Sequence, residues 1–196
     1  MTAEPEPADL RSRVRRAYDD VARTPGAEHG FPVGGRLARR AGYLDRWLAT
    51  VPAASVEAFA GVSCLPCLAV VPAEAAVLDL GCGAGLDALL VAGTGASVLG
   101  VDFSEEMLSR ARDAAEQMGV RTARFELGDA EAIPAPTGSV DVALVNGVFN
   151  LNRAREKIFS ELARVIRPGG DLFAAELVLK GPRPAATEPS DVDWFA

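Results

Sequence analysis

Residues 77–85 read Val-Leu-Asp-Leu-Gly-Cys-Gly-Ala-Gly, an apolar run that passes directly into glycines at 81, 83 and 85. The run predicts a strand. Glycines at every second position after it let the backbone bend sharply and approach a ligand where a side chain would block it. A second apolar run, Val98-Leu-Gly-Val-Asp102, ends in an acid. A carboxylate one strand away from a glycine loop is placed to accept two hydrogen bonds from ribose hydroxyls, so the two runs predict a nucleotide-cofactor site in an α/β fold. A dinucleotide fingerprint, G-x-G-x-x-G, needs a third glycine where helix and strand pack closest. Counting from Gly81 places Leu86 there, which weighs against a pyrophosphate ligand.

S-adenosylmethionine, which carries no phosphate, fits the loop better. Four further motifs follow in order: Val101-Asp-Phe-Ser-Glu-Glu-Met107, Gly128-Asp-Ala-Glu-Ala-Ile-Pro134, Ser139-Val-Asp-Val-Ala-Leu-Val-Asn146 and Leu162-Ala-Arg-Val-Ile-Arg-Pro-Gly-Gly170. With the glycine loop they make the stretch Val77 to Leu179 resemble the class I S-adenosylmethionine-dependent methyltransferase family. That resemblance implies a Rossmann-like three-layer sandwich with a mostly parallel sheet, and S-adenosylmethionine as cofactor. It also implies roles for residues. Gly81 and Gly83 would line the methionine end, Asp102 would hold the ribose, and Phe103 and Met107 would flank the adenine. Asp129 with Ala130 would read the adenine amino group, and Asn146 would face the methyl group and the acceptor. Asp79 and Cys82, inside the same strand and loop, complete the cofactor-binding set, Asp79 as a ligand contact or as a group orienting the loop.

Upstream, Tyr18-Asp-Asp-Val-Ala22, Ala27-Glu-His-Gly-Phe-Pro-Val-Gly34, Gly42-Tyr43 and Ser55-Val-Glu-Ala-Phe-Ala-Gly-Val62 look like the arsenite methyltransferase-like branch, as does Asn146-Gly-Val-Phe-Asn-Leu151. Arsenite enzymes of that branch hold As(III) on soft thiolates. Two of the matching positions hold Ser63 and Gly147 here, and Cys64 stands one residue away, so the family's thiolate set is not reproduced.

The chain has 196 residues and is 49% apolar. At that length one domain buries roughly 70% of its unfolded surface, enough for a core of its own. The longest uncharged run, Ala58 to Ala73, contains Pro66 and Pro72 and is 16 residues long, against the ~20 a membrane span needs. The first residues, Met-Thr-Ala-Glu-Pro-Glu, carry no apolar signal segment, so a cytoplasmic protein is expected. Three cysteines make no disulfide framework, and a reducing compartment is the simpler reading. Cys64-Leu-Pro-Cys67 reads as a redox motif, as half of a zinc site, or as two small buried side chains, and the last is preferred because no second ligand pair accompanies it. No metal site is expected.

The net charge of −7 is uneven: residues 1–50 carry nine Arg and seven acids, and residues 51–196 carry eleven basic and twenty acidic residues. An acidic second half repels a phosphate backbone, so a nucleic-acid substrate is disfavoured, and Arg11, Arg13, Arg15 and Arg16 read as a solvated helix face. The expected partner is a small-molecule methyl acceptor.

Periodicity divides the chain into a helical cap and substrate lid over residues 1–72, a cofactor-binding α/β core over 73–180 and a loop tail over 181–196. In the cap the pattern predicts one helix through Leu10, Val14, Tyr18 and Val21, and a second through Leu37, Ala41, Leu44 and Leu48. Ser55 is expected to cap a short helix and residues 64–72 to form a loop. In the core five strands are expected, at 77–80, 97–101, 122–127, 140–145 and 171–179, with helices at 86–93, 105–118 and 153–167. Ser104 should be an N-cap, and Arg167-Pro-Gly-Gly170 a helix stop and turn. The fold normally adds a two-stranded hairpin, for which the 17 residues after Leu179 are too few. A tail that is truncated or disordered, and a homodimer through the exposed sheet edge, are the corresponding expectations. Methyl transfer asks mainly for alignment, so the catalytic candidates His29, Tyr18 and Cys64 are weak, as is Tyr43. A cofactor-binding module without catalysis is the alternative.

Overall fold

The computed structural model describes residues 7–178. Five helical pieces precede the sheet: α1 (Pro7–Arg23), α2 (Gly35–Ala41), α3 (Asp45–Leu48), α4 (Ala53–Glu57) and α5 (Leu65–Leu68). Then β1 (Ala76–Leu80), α6 (Leu86–Ala92), β2 (Ser97–Asp102), α7 (Glu105–Met118), β3 (Ala123–Leu127), β4 (Val140–Asn146), α8 (Arg155–Val165) and β5 (Ile166–Ala175) alternate, with a 3-10 turn at Phe149–Leu151. The strands form one parallel sheet in the order β3-β2-β1-β4-β5. The chain order therefore reverses between β1 and β4, and a crevice opens beyond the carboxyl ends of these strands, where α/β sheets bind ligands.

Alternate residues of the central strands feed two cores. Val77, Val98, Val142 and Leu144 pack with α6, α7 and the α2–α5 segment. Leu78, Leu99, Ala143 and Val145 pack on the other face with Ile158, Leu162 and Val165 of α8 and with Ile133. Both faces being covered explains why the strands read as continuous apolar runs. Leu86, in the place of the fingerprint's third glycine, sits in the first core and is 3% exposed. A third cluster, of Val21, Ala22, Ala58, Ala84 and Met107, joins α1 to the sheet side. Ser104 caps α7 by accepting from Met107 N at 3.2 Å, as its sequence predicts.

Several expected elements differ. The second cap helix is two: Gly42, at φ 106°, ends α2, donating to Arg39 O at 3.1 Å, and the chain turns before α3. Ser55 is not a cap. It lies inside α4, whose N-cap is Pro52, and is fully buried. The 64–72 segment contains α5 and a disulfide between Cys64 and Cys67, 5.4 Å apart at Cα, which corrects the reading of two unlinked side chains. The pair stands three positions apart, a spacing that one helical turn closes. The Arg167–Gly170 stretch does stop α8 but is a bulge within β5: the register passes from Val140↔Ile166 to Val142↔Asp171. Asp141 fixes that bulge, pairing with Arg167 and accepting from Ala76 N at 2.7 Å at the start of β1. No helix among the described residues is long and apolar enough to cross a membrane. The strand expected at 171–179 instead runs from Ile166 to Ala175, and the expected tail lies outside the described residues.

Candidate active site

The glycine loop closes on β2. Gly81 N and Cys82 N donate to Val101 O at 2.7 and 3.1 Å, and Gly83 N donates to Asp102 Oδ2 at 2.8 Å. Gly81 has φ 75°, and a Cβ there would lie 2.4 Å from Val148 Cγ2, so both the turn and the space require glycine. Asp102 Oδ1 accepts from Ser104 N at 2.9 Å, so one carboxylate ties the loop to the start of α7. It is 7% exposed, and burial pushes it up to about 6, against the pull of its backbone N–H partners.

Above this loop lies a cleft that all ten expected cofactor residues line: Asp79, Gly81, Cys82, Gly83, Asp102, Phe103, Met107, Asp129, Ala130 and Asn146. They come from the ends of β1, β2 and β4, the start of α7 and the 128–130 turn. Over Phe103 stand the Arg15 guanidinium, 5.6 Å from the ring centroid, and the edge of Tyr18. Arg11 of α1 pairs with Asp129 and lies 3.9 Å from Glu131, closing that end. Burial keeps the Cys82 thiol well above its usual range, so it is a neutral wall and not a thiolate.

At the other end a buried polar network stands behind the loop. Asn146 donates to Asp87 Oδ2 at 2.9 Å and to Ser63 O at 2.8 Å, and accepts from Val62 N and Ser63 N at 2.8 and 3.2 Å. Tyr43 donates to Asp87 Oδ1 and lies 3.1 Å from Ser63 O. Its phenol is raised, first by burial and then by Asp87. Asp79 is raised by burial and then by the charge of Asp87, and its Oδ2 has no hydrogen-bond partner. Asn146 thus anchors the segment before β1 to the tip of β4.

Three catalytic candidates separate. Tyr18 lines this cleft and a second crevice beside it. Burial, then Asp102 and Glu176, push its phenol above the usual range, so it is a neutral donor and not a base. His29 lines neither: its Nε2 is 3.0 Å from Thr24 O, at an exposed turn. Cys64 is withdrawn as a nucleophile, because it is disulfide-bonded and outside both crevices. Reading the sequence missed Ser55, Asp87 and Arg11, which also line the cleft. Asp87 had a signal, an acid in the first turn of the helix after the glycines. Ser55 had none, since only folding turns that face of α4 inward.

Residues 73–192 match the family described as "Methyltransferase domain". The chain is 32% identical to an arsenite methyltransferase of Halobacterium salinarum over 94% of its own length and 51% of that protein. Among solved structures it resembles an S-adenosylmethionine-dependent methyltransferase of Aquifex aeolicus (25% identity, TM-score 0.54, 63% of this chain and 66% of that one). It also resembles the [4+2]-cyclase SpnF (25% identity, TM-score 0.63, 85% of this chain and 60% of that one). The chain spans about half the length of the curated relatives it matches.

Proposed function

The chain belongs to the methyltransferase-domain family, and on that premise we propose that it binds S-adenosylmethionine in the glycine-loop cleft and methylates a small-molecule acceptor. The observation that carries this reading is the charge of the cleft. Among the described residues Asp87, Asp102 and Asp129 line it as acids against one cation, Arg11, with Asp79, raised well above the usual carboxylate range by burial, beside them. Such a wall draws in a sulfonium and an ammonium group and repels a pyrophosphate. Two buried atoms without a protein partner, Ser55 Oγ and Asp79 Oδ2, belong to side chains of the same wall. An unsatisfied buried polar group costs about 1–3 kcal/mol, and a ligand bearing hydrogen-bond donors recovers it.

When bound, S-adenosylmethionine supplies a methyl group already activated on sulfur, so the protein's task is alignment. In this reading Asp79, Gly81, Cys82 and Gly83 hold the methionine end, and Asp102 uses its remaining lone pairs for the ribose. Phe103, Met107, Asp129 and Ala130 enclose the base, and Asn146 orients the acceptor side. Tyr18, kept protonated, donates to an acceptor oxygen. Residues 1–72 act as cap and substrate lid over the 73–180 core. The test is calorimetric titration with S-adenosylhomocysteine and, separately, with NAD. We expect S-adenosylhomocysteine alone to bind, and Asp102→Ala to weaken it by about 2–4 kcal/mol through loss of charge-assisted bonds. NAD binding tighter than S-adenosylhomocysteine would overturn the assignment.

A further inference from the structure

A second crevice adjoins the cleft, and Tyr18, Ala60, Gly61, Gly147 and Leu151 belong to both walls. The shared wall is bare backbone at Gly61, where a Cβ would come within 2.7 Å of Asn146 Nδ2. Elsewhere Phe31, Leu37 and Leu177 make the wall apolar, and among the described residues Arg40 and Glu176 are its only charged side chains. Glu176 is already engaged, its oxygens accepting from Asn150 N at 3.1 Å and Leu177 N at 2.9 Å. One basic and one acidic group leave no net charge, and burying an unpaired ligand charge against apolar walls is costly.

The soft ligands of a metalloid are missing from the same place. Gly147 presents bare backbone, and Ser63 is held through its main chain by Asn146. Cys64 and Cys67 are joined to each other, and Cys82, in the glycine loop, lines the first cleft and not this crevice. A thiophilic As(III) species therefore finds no thiolate on this wall.

We propose that this second crevice is the acceptor site and takes an uncharged, largely apolar organic molecule, not a metalloid. The proposal rests on the methyltransferase reading of the adjoining cleft. It is tested by binding to the whole protein, with 2-naphthol as probe and 2-naphthoate and arsenite as comparators, each titrated with and without S-adenosylhomocysteine. We expect 2-naphthol to bind saturably, and 2-naphthoate and arsenite to bind more weakly by at least about tenfold, which corresponds to about 1.4 kcal/mol. Leu37→Glu, and Leu177→Glu at a position already 53% exposed, should each weaken 2-naphthol by a similar factor of about ten. Both should leave S-adenosylhomocysteine affinity within about twofold, since neither residue lines the first cleft. The proposal is overturned if arsenite or 2-naphthoate binds as tightly as 2-naphthol, if 2-naphthol does not bind, or if the exposed-site variant binds it like the parent. Failure of S-adenosylhomocysteine to bind would remove the cofactor reading alone, because the naphthol titration without it still reads the crevice.

Discussion

Asp102 shows what single residues do here. Its carboxylate joins Gly83 N and Ser104 N while buried, so the same group shapes the empty loop and offers lone pairs to a ligand. Its folded pKa is raised from 3.8 to about 6. The folded state therefore binds more protons than the unfolded state between about pH 4 and pH 6, and stability from this group falls as pH rises through that window. At 1.36 kcal/mol per unit the penalty above pH 6 is about 3 kcal/mol. Denaturant titrations of the ligand-free protein at pH 4.5 and pH 7 should show Asp102→Asn losing less stability than the parent over that interval. Equal losses would mean that the carboxyl titrates normally. Asp79 and Asp87 are raised by burial too, so the slope should shrink without vanishing. Asp102 and the glycines were legible because strand, bend and acid are neighbours in sequence. Asp87 and Tyr43 were not, because their partners Asn146 and Ser63 reach them only through the packing of β4 and the pre-sheet segment. Ser55 was not, because only folding turns that face of α4 inward.

Among elements, α1 is tied to α7 and its N-cap by polar fastenings, beside the Arg11–Asp129 pair at its other end. Arg110 donates to Ala22 O at the end of α1 and, at 3.1 Å, to Ala54 O in α4; Ser104 donates to Asp19 at 2.5 Å, and Arg23 pairs with Glu106 at 2.8 Å. The exposed Arg23–Glu106 pair contributes little. Arg110 is the stronger fastening, since it satisfies two carbonyls left open at helix ends. Arg110→Met keeps the aliphatic stem and removes both bonds. We expect amide exchange in α1 to accelerate by the equivalent of about 1–3 kcal/mol while β1 amides are unchanged. S-adenosylhomocysteine affinity should fall with it, since α1 carries Arg11 and Tyr18 of the cleft wall. Equal protection in α1 would show the helix to be held by its apolar side alone. The element boundaries that local chemistry controls were readable, such as Ser104 before α7. The α2–α3 break and the Arg167–Gly170 bulge were not. A glycine in a helical pattern and a Pro-Gly-Gly stop each fit two outcomes, and strand pairing with β4 decided the second.

At the scale of the molecule, the sequence divides at residue 72, whereas the packing does not. Ala38, Leu48 and Leu65 of the helical segment share one core with Val77, Leu89, Leu108 and Leu144 of the sheet and its helices, and Trp47 packs against it from α3. Sheet class, five strands and the cofactor crevice were legible because each rests on short-range apolar pattern. How the first segment meets the sheet depends on contacts between residues far apart, which periodicity does not record. A shared core predicts a shared transition. In a Trp194→Phe background, which leaves Trp47 as the sole tryptophan of the chain, fluorescence and far-ultraviolet circular dichroism should trace one coincident denaturant curve. S-adenosylhomocysteine at a hundred times its dissociation constant should move both by about 2.7 kcal/mol together. An earlier fluorescence transition would mean that the helical segment opens as a separate unit. The lid would then work by local unfolding, and not as a wall fixed to the sheet.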